Sequence, residues 1–536
     1  MSEASRGGGP ATRVPGGRLG RAGLAAIGLG LAAFLATALL GPSAMQPALP
    51  GAAGEPPYSV AAHPSPYLVI GLVVLGVLAG AAGLGLCLLA IRRGWSCPPR
   101  PLLIAGLLVA AAFAVLPPVG SGDHLNYAVY GRMAVTGHDP YSTAARDLPG
   151  DPIAGVVEPP WREEPSIYGP IATAQQAFAS WIGGDSVRLT VFVLSLTNAL
   201  AFAAVGLLLY RLAGRTGTRT GRLRSVLLWT GNPLLLFHLV SGGHNDVLAI
   251  AAAVAALAVF AGGTPGPRSV RRILATGGLL GAGVAIKLPA ALAGGGPAWA
   301  LLGMARRRVA RPRVARPGPG RWSWRWSWRR SWPARLVPVA LLGGAAAVVA
   351  VLAYAPAGAH AFDQVQRASR SVSLATPWHL VDVALGRGAH RPVIQIGSLI
   401  LLGVLTWLLL RLLPRGEESH RIATALVLAW LFAAPYALPW YDAFGWALLA
   451  LLPWSAIDAL LLARTVALSL AYLPARDPQA VRLPDGLAWL FTVVRPTVIP
   501  WALTAILGIL AALAVWRRSR RETERPSPEP VSPPRG

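Results

Sequence analysis

Charge is scarce in this chain. Asp, Glu, Lys and Arg make up 13% of 536 residues, hydrophobic residues make up 54%, and the mean hydropathy is +0.52. A soluble fold of this length cannot hide that much apolar surface, so the class is a polytopic membrane protein. Lysine is nearly absent: Lys287 is the only one among 48 basic residues. The remaining bases are arginine, and alanine, glycine and proline abound, a bias typical of a GC-rich genome. Cysteine is also rare. Cys87 in an apolar run and Cys97 in a loop are the only two, which excludes a disulfide framework and a cysteine-built metal site. The net charge of +26 would point to nucleic acid in a soluble protein. Here it belongs to arginines in loops, which orient helices and meet anionic lipid, so membrane lipid rather than nucleic acid is the expected partner.

A span needs about 20 mostly apolar residues. Such runs occur at 23–41, 68–92, 102–119, 187–210, 225–241, 246–263, 273–291, 293–305, 335–357, 395–413, 421–438, 442–456, 458–473 and 488–516. Several are short, so the expected architecture is an all-α polytopic transmembrane bundle of roughly 11–14 spans. Residues 1–22 read as a disordered cytoplasmic start, 23–516 as the membrane domain and 517–536 as a disordered tail. The first run is long and lacks a sharp cleavage site, which favours a retained anchor over a signal peptide. Loops 92–100, 211–224, 264–272, 306–335 and 411–421 are arginine-rich, whereas 42–66 holds no Lys or Arg. Both termini are therefore expected in the cytoplasm, and loop 120–186, the turn 241–246, loop 358–394 and the turn 439–442 outside. The Arg/Trp repeat in 306–335 can stack bases, but a loop lying on headgroups is the plainer reading.

Asp123 follows the apolar run 101–119 and opens the first large external loop. A carboxylate at a membrane boundary is costly, and such residues mark functional sites. From Asp123 to Thr136 the spacing allows an interfacial helix on which Asp123, Tyr127 and Tyr130 share a face, ended by Pro140. His124, Arg132, Asp139, Tyr141 and Tyr168 lie in the same loop as candidate binding residues, with a solvated acidic loop as the bland alternative. A second cluster is the Gly242-Gly243-His244-Asn245-Asp246 turn. Asn245 or Asp246 can cap the following helix, but nothing structural demands the imidazole of His244. Lys287, near the end of an apolar run, either snorkels to the interface or binds an anion. Arg367 and Arg370 break the positive-inside pattern; they either clamp a lipid phosphate or form surface salt bridges. Pro439-Trp440-Tyr441-Asp442 suits the interfacial aromatic belt better than sugar stacking.

These residues together resemble integral-membrane glycosyltransferases of the GT-C superfamily. They are more specifically similar to the actinobacterial polyprenol-phosphate-mannose-dependent α-1,6-mannosyltransferases of lipoglycan synthesis. The resemblance is carried by Asp123 through Tyr141, Tyr168-Gly169-Pro170, and Asn232-Pro233 followed by Gly242-Gly243-His244-Asn245-Asp246. It implies a hexosyltransferase that moves a sugar, mannose by the family's habit, from a polyprenyl-phosphate donor to an envelope glycan or lipoglycan. It also implies an active site on the outer face of the cell membrane, with Asp123 as catalytic base. With a monophosphate donor, side-chain cations can replace a metal, so no cofactor or obligatory metal is expected. A transporter or flippase of lipid-linked sugars is the rival reading. It predicts inverted repeats and charges deep in spans, whereas the acids here collect toward one face.

Overall fold

The computed structural model describes residues 16–215, 218–262, 269–309, 331–476, 480–481 and 483–523. The Arg/Trp repeat, most of the amino-terminal segment and most of the tail fall outside the described residues. Among those described, all the regular elements are helices, joined by turns and loops, and the sole β-type pairing is one isolated bridge between Ser43 and Gln46. This is the all-α polytopic architecture anticipated from composition.

Helices α1 (Gly17–Leu40) and α2 (Pro66–Arg92) form a tight hairpin. Ser65 caps α2, its Oγ accepting from the Leu68 amide at 3.3 Å, and Pro66 follows at the first helical position. Glycines let the two backbones touch: a Cβ at Gly83 would sit 2.6 Å from the Gly23 carbonyl oxygen. Next come α3 (Pro99–Ala114), α4 (Asp123–Val135), α5 (Pro170–Gly183) and α6 (Val187–Gly214). The chain then forms α7 (Arg219–Leu228) and, after a break, one turn of helix, α8 (Pro233–Leu235), that widens into a π-helix over Leu236–Ser241. Asn232 and Pro233 make the break. Asn232 Oδ1 accepts from the Leu234 amide at 3.1 Å, and proline cannot donate to the preceding turn.

The second half contains α9 (Asp246–Ala261), α10 (Val270–Val284), α11 (Gly295–Val309), α12 (Ser331–Tyr354), α13 (His360–Ser369) and α14 (Pro377–Ala384). It closes with α15 (Arg391–Leu412), α16 (Glu418–Ala433), α17 (Asp442–Leu449), α18 (Ala456–Ala471) and α19 (Ile499–Thr523). Among the described residues, seven helical stretches are long and apolar enough to cross a bilayer. The other apolar runs fold as shorter helices, such as α3 and α9 with 16 residues each. The run 442–456 yields only the eight-residue α17, too short to span. The amino-terminal helix begins at Gly17 and the last ends at Thr523, so helix replaces part of each expected disordered terminus.

Every residue from 223 to 241 is buried, whereas few residues in Leu336–Ala357 and Arg391–Leu412 are. The first is a central post; the others turn their apolar sides outward. Two buried ion pairs tie the centre together. Arg224 on α7 donates to Asp458 at 2.8 Å and to the Leu449 and Leu452 carbonyls at 3.1 and 3.0 Å. Arg464 on α18 pairs with Asp442, which also accepts from Thr465 Oγ1 at 2.8 Å. Removing one partner of such a pair costs about 3–5 kcal/mol.

Candidate active site

One backbone hydrogen bond brings the sequence's two constellations together, and a second steadies the loop that carries Asp123. The Val119 amide donates to the Ser241 carbonyl at 2.8 Å, and the Gly120 amide donates to the Met45 carbonyl at 2.9 Å. The loop leading into α4 is thereby fixed beside the turn leading out of the π-helix. That turn reverses at Gly243, whose φ of +70° lies where glycine alone is unstrained. Asn198 Nδ2 on α6 donates to the Gly243 carbonyl at 2.8 Å and holds the turn from behind.

Asp123 is the first residue of α4 and is 7% exposed. Its amide donates to Ser121 Oγ at 3.1 Å. Its Oδ2 lies 3.7 Å from Nε2 of the fully buried His244. Burial pushes the Asp123 carboxyl up to about 6; Lys287 opposes that shift and Asp246 adds to it. Burial likewise pushes the His244 imidazole well below its ordinary value, so it is neutral. His244 is clamped from two directions, and the clamping ring is itself braced. Its Nδ1 bonds the His238 carbonyl, its ring stacks on Trp440 with centroids 3.5 Å apart, and Trp440 meets the edge of Tyr472 at 5.0 Å. A Cβ added to Gly242 would stand 2.8 Å from the same ring.

Asp246 and Lys287 form the second half of the site. Lys287 Nζ lies 2.6 Å from Asp246 Oδ1, 4.1 Å from the Tyr441 ring centroid and 6.0 Å from that of Tyr168. Tyr168 donates to Tyr127 Oη at 3.4 Å, and the two rings pack edge to face. Tyr127 thus shares the face of α4 that carries Asp123, as the spacing indicated. Two glycines permit this packing. A Cβ at Gly169 would lie 2.1 Å from the Ala285 carbonyl oxygen, and one at Gly131 would lie 2.1 Å from that of Gln176. The first presses Tyr168 toward Lys287; the second draws α5 onto α4.

The expected residues therefore divide. Asp123, Tyr127, Tyr168, His244, Asp246 and Lys287 converge. His124 is buried next to Asp123, with both ring nitrogens unpartnered among the described residues. Tyr130 donates to the Glu164 carbonyl at 3.0 Å. Asn245 immediately precedes α9 but its side chain makes no cap, and Asp246 spends its carboxylate on Lys287, which corrects the cap expectation. Lys287 accordingly does not simply snorkel.

Arg132 is engaged elsewhere, bonding Asp151 and Asp185 at 2.7 Å each, so it braces the loop instead of facing Asp123. Asp139 accepts from the Tyr141 amide at 2.9 Å and the Ser142 hydroxyl at 3.0 Å, forming a turn. Tyr141 Oη meets Thr173 Oγ1 at 2.9 Å, joining that turn to α5. Arg367 pairs loosely with Glu164 at 3.4 Å, and Arg370 is exposed at the end of α13. No interaction among the described residues links Arg132, Asp139, Arg367 or Arg370 directly to Asp123.

The turn Pro439–Tyr441 is the main surprise. It supplies Trp440, 1% exposed beneath His244, and Tyr441 over Lys287, so neither ring sits in an interfacial belt. Sequence carried one usable signal for this, an aromatic pair beside an acid at a short break between apolar runs. Arg476 was also missed. It pairs with Glu158, donates to the Ser43 carbonyl at 3.0 Å and interacts electrostatically with His124. Among the described residues, no group of three or more His, Cys, Asp or Glu side chains has the proximity to hold a metal ion.

Residues 25–303 match the family model described as alpha-(1->6)-mannopyranosyltransferase, N-terminal domain. That stretch contains Asp123, Tyr168, His244, Asp246 and Lys287. The chain is 30% identical over 146 residues to alpha-(1->6)-mannopyranosyltransferase A of Corynebacterium glutamicum, covering 27% of this chain and 28% of that protein. It is 33% identical over 150 residues to a probable alpha-(1->6)-mannopyranosyltransferase of Mycolicibacterium smegmatis, covering 26% and 25%. For alpha-(1->6)-mannopyranosyltransferase A of Mycobacterium tuberculosis the figures are 29% over 178 residues, 33% and 32%. The matched stretches thus span about a quarter to a third of each relative's length. With its model match extending from residue 25 to residue 303 of 536, the chain belongs to the alpha-(1->6)-mannopyranosyltransferase family.

Proposed function

We propose that this protein is an inverting mannosyltransferase that moves mannose from a polyprenyl-phosphate donor to a glycan or lipoglycan acceptor on the outer face of the cell membrane. The observation that carries the reading is Asp123. It is a buried carboxylate with raised proton affinity, set beside a neutral imidazole within the family's matched region. The relatives are named alpha-(1->6)-mannopyranosyltransferases, which supports mannose as the sugar. The distribution of loop arginines supports cytoplasmic termini and an external site.

In the reaction, Asp123 accepts the proton of the acceptor hydroxyl as that oxygen attacks the anomeric carbon. The bond from that carbon to the phosphate oxygen breaks, and its electron pair leaves on the polyprenyl phosphate. A cation stabilises the developing charge on the leaving oxygen. Lys287 is the nearest candidate, its charge held in place by Asp246 and the Tyr441 face. The exposed Arg367 and Arg370 are candidates for meeting the lipid headgroup. No obligatory metal is proposed.

The test is to incubate membranes containing the protein with labelled polyprenyl phosphate mannose and follow label into lipid and glycan. Asp123→Ala should abolish transfer while the protein still accumulates in the membrane, and chelator should leave wild-type transfer intact. Transfer by Asp123→Ala would refute the base assignment. Loss of transfer in chelator would refute the metal-free mechanism.

A further inference from the structure

The hydrogen-bonding partners around His244 determine which of its nitrogens carries the proton. Nδ1 faces the carbonyl oxygen of His238, which can only accept, so a neutral His244 must bear its hydrogen on Nδ1. The next link is fixed in the same way. Ser469 Oγ donates to the Thr465 carbonyl at 2.7 Å, so His238 Nε2, 2.7 Å from that hydroxyl, is the donor to it. Nε2 of His244 is then a bare lone pair. It has no hydrogen-bond partner among the described residues, and it points at Asp123 Oδ2 from 3.7 Å. The Trp440 stack holds the ring in this plane.

We infer that His244 is a positioning residue whose unprotonated Nε2 opposes the ionised carboxylate of Asp123 and accepts a hydrogen bond from it once it is protonated, so that the two side chains hold a single proton between them. The inference rests on Asp123 being the base proposed above. While Asp123 is ionised, two lone pairs face each other in a buried site, which is unfavourable. When Asp123 takes the acceptor's proton, its O–H can donate to Nε2 and that repulsion becomes a hydrogen bond. His244 therefore makes Asp123 a stronger base without itself touching substrate.

The surrounding groups leave this arrangement in place. Lys287 and Asp246, the nearest charges, are paired with each other. His124, on the first turn of α4, lies beside Arg476, and burial keeps its imidazole neutral. Tyr127 and Tyr130 on α4, Tyr168 before α5, Tyr436 and Tyr441 before α17, and Tyr472 after α18 all interact electrostatically with Asp123. Each is a phenol held neutral by burial. None of them supplies a proton to Nε2.

The experiment uses the full-length protein in detergent, labelled with ¹³C at the aspartate carboxyls and ¹⁵N in the histidine rings. Asp123→Asn and His244→Gln variants assign the two signals. The wild type should show His244 with hydrogen on Nδ1 and a bare Nε2. In His244→Gln, whose carboxamide can donate to the carboxylate, the Asp123 titration midpoint should fall by a unit or more, a tenfold loss of proton affinity. Hydrogen on Nε2 of wild-type His244 would overturn the inference, as would an unmoved or raised Asp123 midpoint in the variant. Should His244→Gln fail to fold, His244→Asn assigns the ring signal, and the wild-type measurement stands. Neither readout needs sugar transfer, so failure of the proposed reaction and failure of this proton arrangement are separately visible.

Discussion

Replacing Asp123 with asparagine should make the protein more stable at neutral pH while abolishing transfer. The carboxyl's folded-state value, about 6, lies above its ordinary 3.8. Between those values the folded state binds more protons than the unfolded state, so the contribution of Asp123 is full below about 3.8 and is lost as pH rises through 6. A difference of about two units corresponds to roughly 3 kcal/mol, the cost of keeping this carboxylate ionised in the fold above pH 6. The neutral carboxamide of Asp123→Asn avoids that cost, and it can donate to the bare Nε2 of His244. The assay is thermal unfolding of wild type and Asp123→Asn in the same detergent, read by tryptophan fluorescence from pH 4 to 8. The variant should melt higher above pH 6, by on the order of a few degrees for a chain of this size. The gap should close toward pH 4. A variant that melts at or below the wild type at pH 7.5, or a gap that widens on acidification, would refute the assignment of Asp123 as a strained, buried base.

Lys287→Met leaves Asp246 buried without its cation and should cost about 3–5 kcal/mol; adding Asp246→Asn should restore most of the melting temperature but not transfer. Trp440→Ala opens a cavity beneath His244 and should also cost about 3–5 kcal/mol, with transfer falling more steeply than in Trp440→Phe, which keeps a ring against the imidazole. Arg132→Ala removes only partly exposed pairs with Asp151 and Asp185, so its stability loss should be about 1 kcal/mol or less and labelled-mannose transfer should persist; loss of transfer would return Arg132 to the site.

What the sequence discloses about the site depends on whether a contact is local. Asp123 and Tyr127 are one helical turn apart, so their shared face follows from the period of the helix. The reversal at Gly242-Gly243 is written in its residues, because few side chains tolerate that backbone. The meeting of His244 with Trp440 is not, since helical periodicity states which face is apolar but not which element will cover it. The same holds for Asp442. It reads as a turn acid, yet its partner Arg464 lies on the next helix, across a backbone that the apolar run 442–456 disguised as a span. The break at Asn232-Pro233 was visible, but its consequence was not. The wide turns that follow carry the His238 carbonyl to His244. The Lys287 partnership escaped for another reason: one lysine fits an anion site, an interface or an ion pair equally well until its neighbour is known.

The placement of Arg219–Ser241 bears on how the protein tolerates different membranes. In this stretch residues 223–241 are all buried and lead into the His244 turn, whereas Leu336–Ala357 and Arg391–Leu412 present most of their surface outward. A thinner or thicker bilayer acts first on helices whose apolar length meets the acyl chains, and they answer by tilting. The inner post meets only protein, so hydrophobic mismatch reaches the Asp123–His244 contact indirectly, through the packing of the helices around it. Lipid thickness is then borne at the periphery, and the distance between base and imidazole is set by the interior.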